Sequence, residues 1–310
     1  MSTRPPADPP PPSPESPRAG GLPAELSAPI PRIDARLARI VDRASFPTPL
    51  AEAIRYALLS PGKRVRPLLA WHCCAAVGAD PERSLPAGAA VELVHAFSLV
   101  HDDLPALDND DLRRGRPTLH KHAGEAMAIL AGDAMLTLAF AVLADEPAEV
   151  RDSSRLSAEL ARATTGMIAG QVWDTMGGLP PGAGPAERVR LVHAHKTGAL
   201  IVAACRMGAL CGSADPAQLA GLTVFAGALG LMFQAVDDVL DVTQPSEHLG
   251  KRSGKDSPAG KLTYPAVFGL EGARAEVSRL EAEALAALGP LGPHARPLDA
   301  LVSALARRSS

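Results

Sequence analysis

Residues 219–241 read Leu-Ala-Gly-Leu-Thr-Val-Phe-Ala-Gly-Ala-Leu-Gly-Leu-Met-Phe-Gln-Ala-Val-Asp-Asp-Val-Leu-Asp. From Leu219 to Val236 the side chains are apolar on nearly every face of a helix, and the run then delivers Asp237, Asp238 and Asp241. Ala87 to Val100 and Ala126 to Ala144 have the same character. A helix without a polar face lies in the middle of a large bundle or in a membrane. The run 219–236 approaches the length of a span, but it contains Gly221, Gly227, Gly230 and Gln234 and ends on carboxylates, while Asp133 sits inside another run. Carboxylates at such depth are costly in lipid, and no asymmetry of basic loops orients a span. The reading is a soluble helical core with no membrane span. No stretch alternates with period two and β-branched residues are sparse, so the expected fold class is all-α.

Outward from that core, the first residues change character. Met1 to about Pro31 is crowded with proline, including Pro9 to Pro12, and has few large apolar side chains. It cannot bury enough surface to offset its chain entropy, so residues 1–31 read as a disordered or polyproline-II tail and 32–310 as the folded domain. The tail has neither the continuous apolar core of a secretory signal nor the Arg-rich pattern of a transit peptide. A net charge of −3 argues against nucleic-acid binding and against a strongly basic membrane surface. Cys73, Cys74, Cys205 and Cys211 show neither zinc-ligand spacing nor Cys-x-x-Cys. They read as buried free thiols, which fits a cytoplasmic location.

Two acidic clusters carry the chemistry. One is His101-Asp102-Asp103-Leu104-Pro105-Ala106-Leu107-Asp108-Asn109-Asp110-Asp111, the other Asp237-Asp238-Val239-Leu240-Asp241, and each follows an apolar approach. Asp237 and Asp241 fall about 40° apart on a helix and roughly 6 Å apart along it, with Asp238 flanking them. Asp102 and Asp108 would diverge by about 120° on an unbroken helix, so the helix must end between them, and Pro105 supplies the break. A single Asp pair is ordinarily a solvated helix end. Two clusters on greasy walls need cations, and hard oxygen ligands completed by substrate phosphates suit Mg²⁺.

Basic groups recur at the breaks. They are Gly62-Lys63-Arg64-Val65-Arg66-Pro67, Arg113-Arg114-Gly115-Arg116-Pro117, and residues 249–265 with Lys251, Arg252, Lys255 and Lys261. Arginine forks match phosphate oxygens and lysine acts as a point charge. Alone, each group is a solvated loop; beside two metal-type clusters they describe a site for two diphosphates. Neither a P-loop nor a Rossmann fingerprint is present, so nucleotide binding is not supported.

In these blocks, together with Glu92-Leu93-Val94-His95, Gly166-Met167, Gly170-Gln171, His195-Lys196-Thr197-Gly198 and Phe233-Gln234, the chain resembles the trans-isoprenyl diphosphate synthases, or polyprenyl synthetases, most closely their bacterial farnesyl diphosphate synthase branch. The likeness spans roughly residues 40 to 308. One departure is Asn109, where close relatives often carry Asp. The resemblance implies a helical bundle around a deep central cavity, the isoprenoid synthase fold, usually as a homodimer. It implies condensation of isopentenyl diphosphate with an allylic diphosphate: ionisation, attack by the double bond, and loss of a proton to the released diphosphate. By resemblance, Asp102, Asp103 and Asp108 bind Mg²⁺ from one wall and Asp237, Asp238 and Asp241 from the other, three ions in all, with Mn²⁺ as a substitute. Arg113, Lys196, Thr197, Gln234, Lys251 and Lys261 hold the allylic diphosphate, and Lys63, Arg66, His95 and Arg114 hold isopentenyl diphosphate. The segment from Lys251 to Lys261 is expected to act as a lid. A class I terpene cyclase needs no second diphosphate site, and a non-catalytic partner subunit usually has a broken acidic motif, so both rank below a synthase. Phe97 and Ser98 lie about 6 to 7.5 Å below Asp102 on the same helix. In the resembled family an aromatic at that level, together with the longer spacing between Asp103 and Asp108, points to a C15 product, so the resemblance implies farnesyl diphosphate, with C20 geranylgeranyl diphosphate as the alternative.

Overall fold

The structure, a computed structural model, describes residues 23–145, 153–243 and 262–307. These residues form thirteen α-helices and one minimal hairpin, so the all-α expectation holds. In chain order the helices are α1 (Ala24–Ser27), α2 (Ile30–Arg43), α3 (Thr48–Leu58), α4 (Val65–Ala76), α5 (Leu85–Asp102), α6 (Leu119–Ala123) and α7 (Glu125–Ala144). Then come α8 (Ser153–Met176), α9 (Pro185–His193), α10 (Ala199–Cys211), α11 (Pro216–Thr243), α12 (Tyr264–Leu288) and α13 (Arg296–Ala306). Proline punctuates this order: α2, α3, α5, α9, α12 and α13 each carry it in the first turn, where the missing N–H costs nothing. Strands β1 (Leu112–Arg113) and β2 (Arg116–Pro117) pair antiparallel between α5 and α6.

The apolar runs become the centre. Helix α11, of 28 residues, packs along α12 and α10, while α5 packs on α7 and α4, and α10 crosses α4. One continuous core joins Leu93, Leu68, Cys205, Met207, Phe225 and Leu229 among many others. Burying each such side chain contributes about 1.5–3 kcal/mol, which explains why these helices need no polar face. Helices α7 and α11 are long and apolar enough to cross a membrane, yet more than half of the most apolar stretch of α11 is buried inside the bundle.

The fold begins earlier than the sequence reading placed it. Residues 23–31, assigned there to the tail, are packed: Leu26 is 2 % exposed, and its carbonyl meets His72 Nε2 at 3.2 Å. One leucine with a buried polar contact anchors a stretch whose proline content alone argued against order. Residues 1–22 lie outside the described residues.

Candidate active site

Helix α5 ends at Asp102, and the chain turns back through Pro105, as the spacing required. The Asp108 N–H donates to the Asp102 carbonyl at 2.8 Å, folding Asp108 back toward Asp102. Asn109 sits at φ 49°, in the left-handed region that asparagine tolerates better than most residues. The two adjacent aspartates part company here. Asp103, expected to bind metal, is buried and accepts from Arg113 Nε at 2.8 and 2.9 Å, which ties it to the hairpin. Asp102 stays half-buried. Burial pushes its carboxyl up to about 6, Asp108 and Asp103 add to the rise, and Lys196 and Arg113 oppose it. A carboxylate raised by burial beside two others is one that a bound cation would relieve; among the described residues no three such side chains converge as a ready-made cluster, so the oxygen donors suit a divalent ion only when substrate oxygens complete its shell.

The second cluster repeats the division. On α11, Asp238 is 6 % exposed; it accepts from the Tyr264 backbone N–H at 2.9 Å and lies 3.2 Å from His193 Nε2. The His193 ring stacks on Tyr264, centroids 5.4 Å apart. Asp238, also expected to be a ligand, thus holds the start of α12 and lies beside the end of α9. Asp237 is half-buried and Asp241 exposed.

Between the walls lies a feature the sequence did not announce. Ala194–Gly198 form a π turn joining α9 to α10. Such bulges concentrate at functional sites because the wider turn re-aims side chains. This one sits in a notch cut by two glycines: a Cβ on Gly170 of α8 would stand 2.2 Å from Lys196 N, and one on Gly230 of α11 would stand 2.8 Å from Gly198 Cα. The turn sends Lys196 Nζ to Asp174 Oδ2 at 2.6 Å and near enough to Asp102 to favour its charge. Thr197 Oγ1 donates to Gln234 Oε1 at 3.0 Å, one helical turn before Asp237. Lys196, Thr197 and Gln234 are therefore brought together as a bridge between the acidic walls. Nearby on α8, both polar atoms of the Gln171 amide are buried with no hydrogen-bond partner.

A cationic cleft opens beside α5, on the side where Asp103 meets the hairpin. Its lining includes Tyr56, Arg64, His95, Arg113, Arg114 and Arg116. Arg64 takes a left-handed φ of 48° and turns inward, binding Asp34 at 2.7 Å, Glu92 at 3.2 Å and the Ser60 carbonyl at 3.0 Å. The middle residue of the Lys63-Arg64-Val65-Arg66 run is the structural tie, leaving Lys63 exposed and Arg66 half-buried. Arg66 Nε is buried without a hydrogen-bond partner, and burial lowers the pKa of its guanidinium, with Glu92 opposing. Arg114 also has positive φ, at 53°, and donates to the Pro61 carbonyl at 3.0 Å. Burial, followed by Arg66, Arg114, Arg113 and Arg64, holds His95 well below the usual imidazole range, so it is neutral at pH 7. Two arginines with left-handed backbones, Arg64 and Arg114, thus line this cleft, and Arg66 lies near enough to Arg114 to feel its charge.

Of the residues singled out from sequence, Phe97 is 6 % exposed and meets His101 edge-on at 5.7 Å, while Ser98 is half-buried and donates to the His95 carbonyl. Lys251, Lys261 and the lid expectation lie outside the described residues. Sequence reasoning missed Asp174 and Tyr56, and counted Glu92 and Gln171 only among the blocks of the resemblance, without a role. Asp174 was findable: it is the one carboxylate on the apolar C-terminal half of α8, four residues after Gly170 and so on the same face.

Residues 47–286 match the family model described as Polyprenyl synthetase. Geranylgeranyl pyrophosphate synthase 9, chloroplastic, of Arabidopsis thaliana is 47 % identical over 269 residues, covering 84 % of this chain and 75 % of that protein. Among solved structures, an FPP/GFPP synthase from Zymomonas mobilis superposes with a TM-score of 0.78 at 34 % identity, covering 90 % of this chain and 96 % of that one. A geranylgeranyl pyrophosphate synthetase from Pyrococcus horikoshii superposes at 0.80 with 28 % identity, covering 91 % and 97 %.

Proposed function

The chain belongs to the polyprenyl synthetase family and is a prenyltransferase, and from that premise we propose that it condenses isopentenyl diphosphate with allylic diphosphates to geranylgeranyl diphosphate (C20). The observation that carries the reading is the pairing of two acidic walls, bridged by Lys196, Thr197 and Gln234, with an arginine cleft: one diphosphate for each. Asp102, Asp108 and Asp237 are the residues we assign to divalent ions, Mg²⁺ or Mn²⁺. Bound there, the ions supply charge neutralisation for the departing allylic diphosphate. Lys196 adds a fixed positive charge on the same side, and Thr197 and Gln234 present oriented dipoles toward the developing cation. Apolar side chains on α5, α8 and α11 keep water from that cation. In the cleft, Arg114 and neutral His95 hold the second diphosphate with Arg66 close behind them, and His95 donates a hydrogen bond without adding another charge.

Two observations support C20 over the C15 expected from sequence. The Arabidopsis relative is named as a geranylgeranyl pyrophosphate synthase. Phe97, read as the floor, is committed to packing against His101, and the small Ser98 lies nearly beneath Asp102. Farnesyl diphosphate remains the second reading because Phe97 is still the aromatic at the level a growing chain must pass. Incubation with Mg²⁺, isopentenyl diphosphate and each allylic primer, followed by sizing of products, tests both. Mostly C20 supports the proposal; mostly C15, lengthened by Phe97→Ala, supports the second reading; no condensation refutes both.

We also assign a homodimer. Ile129 and Leu130 of α7 and Ile168, Val172 and Met176 of α8 are exposed, Leu130 at 56 % and Met176 at 73 %. Exposed apolar side chains of this kind on two packed helices are suited to a second copy. The four cysteines are buried and free, which suits the cytoplasmic location we propose, although the Arabidopsis relative is named as chloroplastic.

A further inference from the structure

The β1–β2 hairpin sets Arg113 directly opposite Arg116. Side chains at such positions share a face, and like charges there repel. Each arginine is held apart from the other by its own fixture. Arg113 binds Asp103. Arg116 has no carboxylate partner among the described residues; its guanidinium stands 4.2 Å above the Tyr56 ring. His122 stacks on that ring at 3.9 Å, which sterics require to be the other face, and the Tyr56 hydroxyl donates to the Pro117 carbonyl at 2.7 Å. Tyr56 therefore clamps strand β2 and serves as a platform for an exposed cation. Platform and cation both line the arginine cleft.

We propose that Arg116, mounted over Tyr56, is a further diphosphate-recognition residue: the outermost cation of the cleft, which takes the terminal phosphate of isopentenyl diphosphate as it enters. The inference rests on assigning the cleft to that substrate. The geometry favours capture over chemistry. An arginine stacked on an aromatic face keeps its in-plane N–H donors free for phosphate oxygens and has less rotamer freedom to lose when it binds. Its exposed position makes it a steering charge whose effect is screened by salt.

The test is calorimetric titration of isopentenyl diphosphate, and separately of inorganic pyrophosphate, into the full-length protein and its variants, with KM for both substrates measured alongside. Arg116→Leu should weaken isopentenyl diphosphate about 5- to 20-fold, as expected for loss of one charge-assisted contact. The factor should shrink between low salt and about 0.3 M, where the screening length is short. KM for isopentenyl diphosphate should rise with Kd while KM for the allylic substrate stays. Arg116→Lys should recover part of the affinity, Tyr56→Leu should move Kd in the same direction as Arg116→Leu, and Arg43→Leu, on the exposed face of α2, should change nothing. Weakening by Arg114→Ala without any by Arg116→Leu overturns this inference alone. No change with either variant overturns it together with the assignment of the cleft.

Discussion

Gly170→Ala is the sharpest probe of how the π turn works. The added methyl would stand 2.2 Å from Lys196 N, 2.7 Å from Lys196 Cα and 2.8 Å from the His195 carbonyl carbon. All three are backbone atoms, so no side-chain rotation relieves the clash. Ordinary contact begins near 3.4 Å; the turn must therefore retreat from α8 by more than about 1 Å, taking Lys196 and Thr197 with it. Overpacking of this kind costs about 1–3 kcal/mol, which leaves the protein folded, whereas a 1 Å misplacement of a positioning group can cost about 10²-fold in rate. The expected outcome is a kcat lowered by roughly that factor, with a modest fall in the urea midpoint. Gly227→Ala is the control. It lies on α11 with nothing within 4 Å of the new methyl, and should gain about 0.5–1 kcal/mol of helix stability with unchanged kcat. If Gly170→Ala loses stability but keeps the wild-type kcat, the π turn is only packing, and Lys196 and Thr197 do not depend on it for their catalytic placement.

Other expectations follow from the same geometry. Ion binding requires Asp102 to be charged, and its carboxyl is raised to about 6, so affinity for Mn²⁺ followed by paramagnetic resonance should fall between pH 7 and 5; a flat profile refutes the assignment, and Asp102→Asn should abolish the ion-dependent rate. In the ion-free protein the raised pKa means the folded state holds the proton more tightly than the unfolded one. Asp102→Asn should accordingly raise Tm at pH 7 to 8 and lose that advantage near pH 4. Arg114→Ala should mainly raise KM for isopentenyl diphosphate and Lys196→Ala mainly slow ionisation of the allylic substrate, an assignment that identical effects on both substrates would contradict. Leu130→Glu places a charge among the exposed apolar side chains of α7 and should shift light-scattering mass from dimer to monomer; an unaltered dimer moves the interface elsewhere.

What was legible in the sequence is what depends on neighbours in the chain. The break at Pro105, the burial of 219–236 and the helical placement of Asp237 follow from local period and local sterics. The π turn does not, because it is permitted by Gly170 and Gly230, which meet it only in space. The packing of Leu26 was likewise missed: it rests on burial, with the Leu26 carbonyl against His72 of α4, which local sequence does not reveal.

The doubled aspartates show the same limit at higher resolution. Adjacent residues on a helix point about 100° apart, so two neighbouring aspartates cannot both face one ion site without distortion, and one of each pair has to turn away. Sequence alone leaves open which. Here it is the second each time. Asp103 turns to Arg113 and Asp238 to the Tyr264 N–H and His193, partners supplied by the segment that follows each motif or by α9. An unpaired carboxylate turned into the core would cost several kcal/mol, and each partner is a chain segment that must in any case be held beside the site: the hairpin carrying Arg114 and Arg116, and the start of α12. On the assignment of Asp102 and Asp237 to the ions proposed above, one carboxylate of each pair serves the site while the other fastens the segment that completes it, two tasks that a single aspartate cannot perform together.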